Sequence, residues 1–239
     1  HVFAFDPVRL AIRARGLPQS SELPEPERRS DGLAAPGRAG RKRGEVVTSM
    51  GVLEHRGSGA VLDVSVSPGN GDARAMFRQA VKAVVWTAQQ IGCALSSVAM
   101  VTDGEFGTVP HLTECTRAGL PLITRSARYE VLADPAVRDR MAVGRWRRVQ
   151  DSGSGPTRYA VDIGTVRIFG GKHTRDDDGK VYEPVEARLI ASAYASGAED
   201  SGCGTQIGSH RVELFLAIGL DAHAFSASDT VTLFYGRCG

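Results

Sequence analysis

Two aspartates carry the chemistry that the residue types and spacing of this chain allow. Asp103 closes the run Val98–Thr102 and is followed by Gly104, Glu105, Phe106 and Gly107; Asp6 closes Val2–Phe5 ahead of Pro7. Short apolar runs rich in β-branched residues read as buried strands, and glycines beside them as the turns that end them. A carboxylate at the C-terminal lip of a buried strand stands where open α/β sheets gather their functional groups. Two such carboxylates on neighbouring strands offer hard oxygen ligands on rigid elements. That donor set suits Mg²⁺ or Mn²⁺, with water and substrate phosphate in the remaining positions. A pair of such ions ~3.5–4 Å apart stabilises both the attacking and the leaving oxygen of a phosphoryl transfer, and a third acid usually completes the site. Each aspartate also has a plainer reading as a cap, a turn residue or a surface charge.

Cations supply the complementary half. Arg28 to Arg43 is basic, Gly/Pro-rich and weakly apolar, which predicts a flexible loop ending in Arg41, Lys42 and Arg43. A second basic stretch runs from Arg125 to Arg148 with Tyr129 and Trp146 interleaved. Arginine neutralises phosphate through bidentate contacts, and aromatic rings stack on unpaired bases. A pair of solvated faces balanced by nearby acids is the alternative. Arg125 ends the strand that follows Asp103 and is placed to meet a phosphate there. Glu105 is a candidate to support the metal site from behind, or a surface charge near the turn.

Other constellations fail on spacing. Around Ser154 a nucleophile elbow would need glycines where Ser152 and Pro156 stand. Pro68–Asp72 (PGNGD) lacks the Lys-Ser/Thr ending of a phosphate-binding loop. With Gly179 at the glycine position of a calcium loop, Val185 would fall where the closing glutamate belongs, so Asp176–Gly179 reads as a polar hairpin tip. The six histidines have no ligand spacing.

The elements that must position the aspartates follow from periodicity. Glu45–Glu54 and Ala60–Val66 predict a hairpin across His55–Gly59. Ala73–Ile91 has apolar residues near helical spacing and stops at Gly92, and Val109–Ala118 is a shorter helix stopped by Gly119. Ser97–Thr102 and Pro121–Thr124 are strands. Beyond about residue 140, short β-branched runs (Arg158–Val161, Thr165–Phe169, Val185–Ile190) predict a hairpin-rich region, Gly197–Ser209 a loop, and Arg211–Ile218 and Thr230–Tyr235 two closing apolar segments. The succession predicts an α/β fold, a mixed sheet with helices on its faces.

Composition sets the outer limits. The 239 residues, 42% hydrophobic and 23% charged, are ordinary for a globular chain. The four cysteines are far apart with no zinc spacing, so a reducing compartment is expected. No apolar stretch approaches ~20 residues, so a membrane span is not expected. A start at His1 rather than Met suggests a fragment or a processed start.

Taken in order, Phe3–Pro7 (FAFDP), Gly40–Gly44 (GRKRG), Pro68–Ala73 (PGNGDA), Val101–Gly107 (VTDGEFG), Pro121–Tyr129 (PLITRSARY) and Leu233–Arg237 (LFYGR) resemble a bacterial insertion-sequence DDE transposase of the broad insertion-sequence-4 group. The resemblance implies a ribonuclease-H-like core over residues 1–132, a β-rich insertion over 133–210 after the second catalytic strand, and a return to the core over 211–239. It maps the first acid onto Asp6 and the second onto Asp103, with Mg²⁺ or Mn²⁺ as cofactor. It implies DNA-backbone contacts by Arg41, Lys42, Arg43, Arg125, Arg128 and Arg237. The partners implied are double-stranded DNA (transposon ends and target) and a second copy of the chain, in a bacterial cytoplasm at the nucleoid. The family's third acid is a glutamate after a Tyr/Arg signature that Tyr235 and Arg237 begin; by that spacing it would lie about two residues beyond Gly239. The chain then reads as a fragment truncated at both ends and inactive as it stands. Two alternatives remain open: a degenerate DNA-binding remnant, and an unrelated metal-dependent phosphohydrolase whose site draws on Asp63 or Glu213.

Overall fold

In the computed structural model the chain runs through β1 (Val2–Ala11), β2 (Ala35–Ala39), β3 (Lys42–His55), β4 (Ala60–Pro68), α1 (Ala73–Gln90), β5 (Ala99–Thr102), α2 (Val109–Ala118) and β6 (Leu122–Ser126). It continues with α3 (Pro135–Val143), β7 (Arg147–Arg148), β8 (Tyr159–Ile168), β9 (Val185–Ala195), β10 (Thr205–Ile207), β11 (His210–Ile218) and α4 (Ala227–Tyr235). The structure describes residues 1–11, 34–39, 42–69, 73–150, 156–171, 174–195 and 204–236.

All eleven strands share one mixed sheet in the order β2-β3-β1-β5-β6-β11-β9-β8-β7, with β4 also on β3 and β10 on β11. β1, β5 and β6 are parallel neighbours; the remaining pairs are antiparallel. Because side chains alternate across a strand, each strand feeds two cores. Phe3, Phe5, Met100 and Leu122 face α1 and α2, where they meet Phe77, Val84 and Leu112. Val101, Ile123 and Phe215 face α4, where they meet Val231 and Phe234. Phe77, Phe215 and Phe234 are fully buried, each contributing about 1.5–3 kcal/mol against leaving it in water. The fold is therefore mixed α/β, with helices on both faces of one sheet.

Local signals explain the helices that frame the site. α1 buries Met76, Phe77, Ala80, Val81, Val84 and Ala88, a stripe at helical spacing. α2 ends where Gly119 takes φ +65 and its N–H reaches the carbonyls of Cys115 and Thr116. α4 opens on a reciprocal cap in which Ser226 and Asp229 each satisfy the other's backbone N–H.

Several boundaries differ from the expectation. The first strand does not end at Asp6: β3 continues to pair β1 from Asp6↔Val52 to Ala11↔Val47 after β5 has stopped. Part of the predicted 28–43 loop is β2, which pairs with the opening of β3. β8 is one strand carrying a bulge between Asp162 and Gly164, where two were expected, and Thr205–Ile207 is a strand inside the expected loop. Thr230–Tyr235 belongs to a helix, and α3 was not foreseen at all. The strands after residue 140 extend the same sheet through β11.

The Asp-Gly-Glu-Phe-Gly turn after β5 is tight for a steric reason. A Cβ on Gly107 would stand 2.7 Å from the Arg125 carbonyl oxygen at the end of β6. Gly107→Ala is expected to cost about 1–3 kcal/mol by forcing the turn off β6, read as a lower urea midpoint with unchanged slope.

Candidate functional site

Parallel pairing of β1 with β5 ends at Phe5↔Thr102, so the next residue on each strand is Asp6 and Asp103. Neighbouring strands lie about 4.8 Å apart, which makes the two aspartates lateral neighbours. Alternation sets their side. Phe3 and Phe5 point toward α1, and Val101 points toward α4, so both carboxylates stand on the α4 face. Asp6 is exposed at the fork where β1 leaves β5 and continues with β3 alone. Asp103 is half-buried and preset: its carboxylate accepts the Gly104 N–H at 2.7 Å, and its carbonyl accepts the Thr124 hydroxyl at 2.8 Å. Both are oxygen donors on rigid elements, a donor set that fits a hard cation with several positions left to water or phosphate. Among the described residues no group of three or more His, Cys, Asp or Glu is arranged to hold a metal ion.

The arginine expected beside them is present but engaged. Arg125 lies at the end of β6 on the same face; its guanidinium sits 5.3 Å from the centre of the Phe234 ring and its Nε 3.8 Å from the Glu213 carboxylate. Glu213, on β11, is fully buried. It accepts from Arg158 at 2.6 Å and from the Tyr235 hydroxyl at the end of α4. Arg158 in turn lies 4.3 Å from the centre of the Tyr194 ring and 4.2 Å from that of Tyr235. This buried network ties β6, β11, the entry to β8 and α4 together two strands away from the carboxylate pair. Sequence reasoning named Glu213 only as an alternative ligand and did not foresee its partners. The signal was a lone acid inside an apolar run, which must be paired if it is buried.

Tyr235 gives the network a titration signature. Burial, then the neighbouring Glu213 charge, pushes its phenol well above its ordinary value near 10. A raised phenol contributes stability that is complete below about pH 10 and is lost as pH climbs toward the folded value. Alkaline titration followed by phenolate absorbance is expected to show Tyr235 ionising only with unfolding, and Tyr235→Phe to remove that late component.

The remaining residues divide. Arg128 follows β6 and its backbone N–H is held by the Ser126 hydroxyl at 3.2 Å. Lys42 and Arg43 open β3, whose pairing with β1 ends at Ala11↔Val47, so their backbone lies beyond Ala11, ten and nine residues along β3 from Val52, the partner of Asp6, and the structure does not bring them to the carboxylates. Arg41 and Arg237 lie outside the described residues. Glu105 does not join the pair: Arg9 binds it at 2.7 Å, and alternation puts Arg9 on the α1 face. Asp63 accepts from Gln79 of α1 at 3.0 Å, also on the opposite face.

No protein-family model matches the chain, and no curated protein matches it. Among the described residues no helix is long and apolar enough to cross a membrane.

Proposed function

We propose that this chain is part of a DDE-type transposase, a metal-dependent DNA nucleotidyltransferase whose first two acids are Asp6 and Asp103. The observation that supports the reading is the register of the strands that lead to them: β1 and β5 pair in parallel up to Phe5↔Thr102, and each acid is the next residue of its chain segment. A mixed sheet with helices on both faces supports a ribonuclease-H-like core in residues 1–132 and 211–239, with residues 133–210 as its β-rich insertion. Asp6 and Asp103 would hold Mg²⁺ or Mn²⁺, which when bound supplies charge stabilisation to the attacking and leaving oxygens of the phosphodiester. Asp103 is oriented before substrate arrives, since the Gly104 N–H fixes one carboxylate oxygen. The substrate would be DNA: water would cleave a phosphodiester at the element end, leaving a 3′-OH and a 5′-phosphate, and that 3′-OH would then attack a target phosphodiester and displace the target's own 3′-OH. Arg128, Lys42 and Arg43 would hold the backbone without reading bases, as would Arg41 and Arg237. Arg125 would share its charge between Glu213 and phosphate. A third acid usually completes a site of this class, so Asp6 and Asp103 by themselves would hold the metal weakly.

The test is Mn²⁺ binding followed by the loss of the free-ion paramagnetic resonance signal. The chain is expected to bind Mn²⁺ in the millimolar range, and Asp103→Asn to lose that binding. Wild type that leaves the signal unchanged, or an Asn variant that binds equally well, would remove the reading.

A further inference from the structure

Two histidines that no spacing along the chain connects meet at the end of the sheet opposite the two aspartates. His1 precedes β1 and His55 closes β3, where the antiparallel register sets Phe3 against His55. The His1 Nδ1 lies 3.0 Å from the His55 Nε2, with the ring centres 5.2 Å apart. Both residues are held in place. The His1 backbone nitrogen donates to the Ser97 carbonyl at 2.8 Å, and the His1 carbonyl accepts the Ala99 N–H at 2.9 Å. The His55 ring rests against fully buried Phe3, centres 5.1 Å apart, and its Nδ1 lies 2.9 Å from the Ser58 hydroxyl. His1 is exposed and His55 half-buried, so an ion reaches both from solvent.

The hydrogen bonds around the pair assign its protons. The Ser58 hydroxyl oxygen accepts the Ala60 N–H at 3.4 Å and, from the other side, the His55 Nδ1–H. That tautomer leaves the His55 Nε2 lone pair facing His1. A ring N–H held by an oxygen while the other nitrogen points outward is the arrangement that orients metal-binding histidines. Distance agrees with the chemistry. Two nitrogens 3.0 Å apart subtend about 95° at an ion about 2.0–2.1 Å from each, close to the right angle between adjacent positions of a tetragonal or octahedral shell. Imidazole nitrogens suit Ni²⁺, Cu²⁺ or Zn²⁺, whereas the carboxylate pair suits hard ions. Among the described residues no third His, Cys, Asp or Glu completes the set, so water fills the other positions. We propose that His1 Nδ1 and His55 Nε2 chelate one divalent transition-metal ion and so join the start of β1 to the β3–β4 turn. In the metal-free protein the His1 Nδ1–H donates to the His55 Nε2. The ion takes that place and the His1 proton passes through solvent to its own Nε2, so both rings bind neutral. The site is independent of the DNA reading above.

The test is calorimetric titration of the chain with Ni²⁺, without a polyhistidine tag, which would bind the same ion. One ion per chain is expected to bind. His1→Ala and His55→Ala should each weaken that binding by more than about tenfold, and Ser58→Ala, which removes only the oxygen that holds the His55 Nδ1–H, by less than either. Because the two rings meet only in the folded chain, Ni²⁺ should raise the thermal midpoint of wild type and leave that of either histidine variant unmoved. Should His55→Ala lower the metal-free midpoint, His1→Ala carries the test, since the bonds that anchor residue 1 are made by backbone atoms that alanine keeps. Asp103→Asn should bind Ni²⁺ as wild type does, and so should a chain carrying one extra residue ahead of His1. Absent binding by wild type, or undiminished binding by either histidine variant, would overturn the chelate. Loss of Ni²⁺ binding in Asp103→Asn would place the ion at the carboxylates instead, and loss in the extended chain would assign it to a terminal amine.

Discussion

Asp6→Asn and Asp103→Asn are each expected to weaken Mn²⁺ binding by more than about tenfold, a floor set by what losing a mere supporting partner costs a metal site. The amide keeps the shape and removes the charge. Neither change should disturb the fold, for reasons visible at each position. Asp6 is exposed and caps nothing in the described structure. Asp103 accepts the Gly104 N–H, and asparagine serves that role about as well as aspartate. The double variant should be little worse than either single one. Two ligands of one ion share one interaction, so removing the second after the first has little left to remove. Additive losses would mean that the aspartates bind ions separately, and the phosphoryl-transfer reading would lose its geometric basis. Unfolding midpoints measured alongside should stay within about 0.5 kcal/mol of wild type.

That pair was legible in the sequence because each aspartate ends an apolar β-branched run, and such runs locate strands without any knowledge of their partners. Its geometry was less legible. Asp6 looked like a strand terminus, yet it lies inside β1, because pairing with β3 carries the strand on to Ala11. Strand length is set by the partner, and the partner is remote in sequence. Helix α3 was invisible for a different reason. It buries only Val137, so no apolar stripe marks it, although Asp134 before Pro135 is a helix start in its own right: the Asp134 carboxylate accepts the Ala136 N–H at 2.9 Å. α4 carries a comparable signal in Ser226 and Asp229, ahead of a segment that the sequence reading marks only as apolar.

Glu213 is the residue whose loss should cost most stability. Its carboxylate is fully buried and its charged partner Arg158 is 7% exposed, so removing one charge leaves the other uncompensated in a low-dielectric interior. Glu213→Ala is expected to lower unfolding free energy by about 3–5 kcal/mol, measured by urea denaturation. Glu213→Gln should cost less, since the amide oxygen still accepts from Arg158 and Tyr235. The cost reflects the stranded arginine rather than a net gain from the pair, because desolvation offsets much of the Coulomb attraction. Arg158→Met should therefore rescue Glu213→Gln, the double variant being more stable than the sum of its parts by at least about 1 kcal/mol. The loss also reaches the carboxylate site. Glu213 anchors the end of α4 through Tyr235 and stands 3.8 Å from Arg125, one strand from Asp103. With the acid gone, Arg125 no longer divides its charge, and the Glu213→Gln, Arg158→Met protein should bind duplex DNA more tightly at low salt than Arg158→Met alone. Equal affinity would show that Arg125 faces no phosphate, and would remove it from the DNA-contacting set.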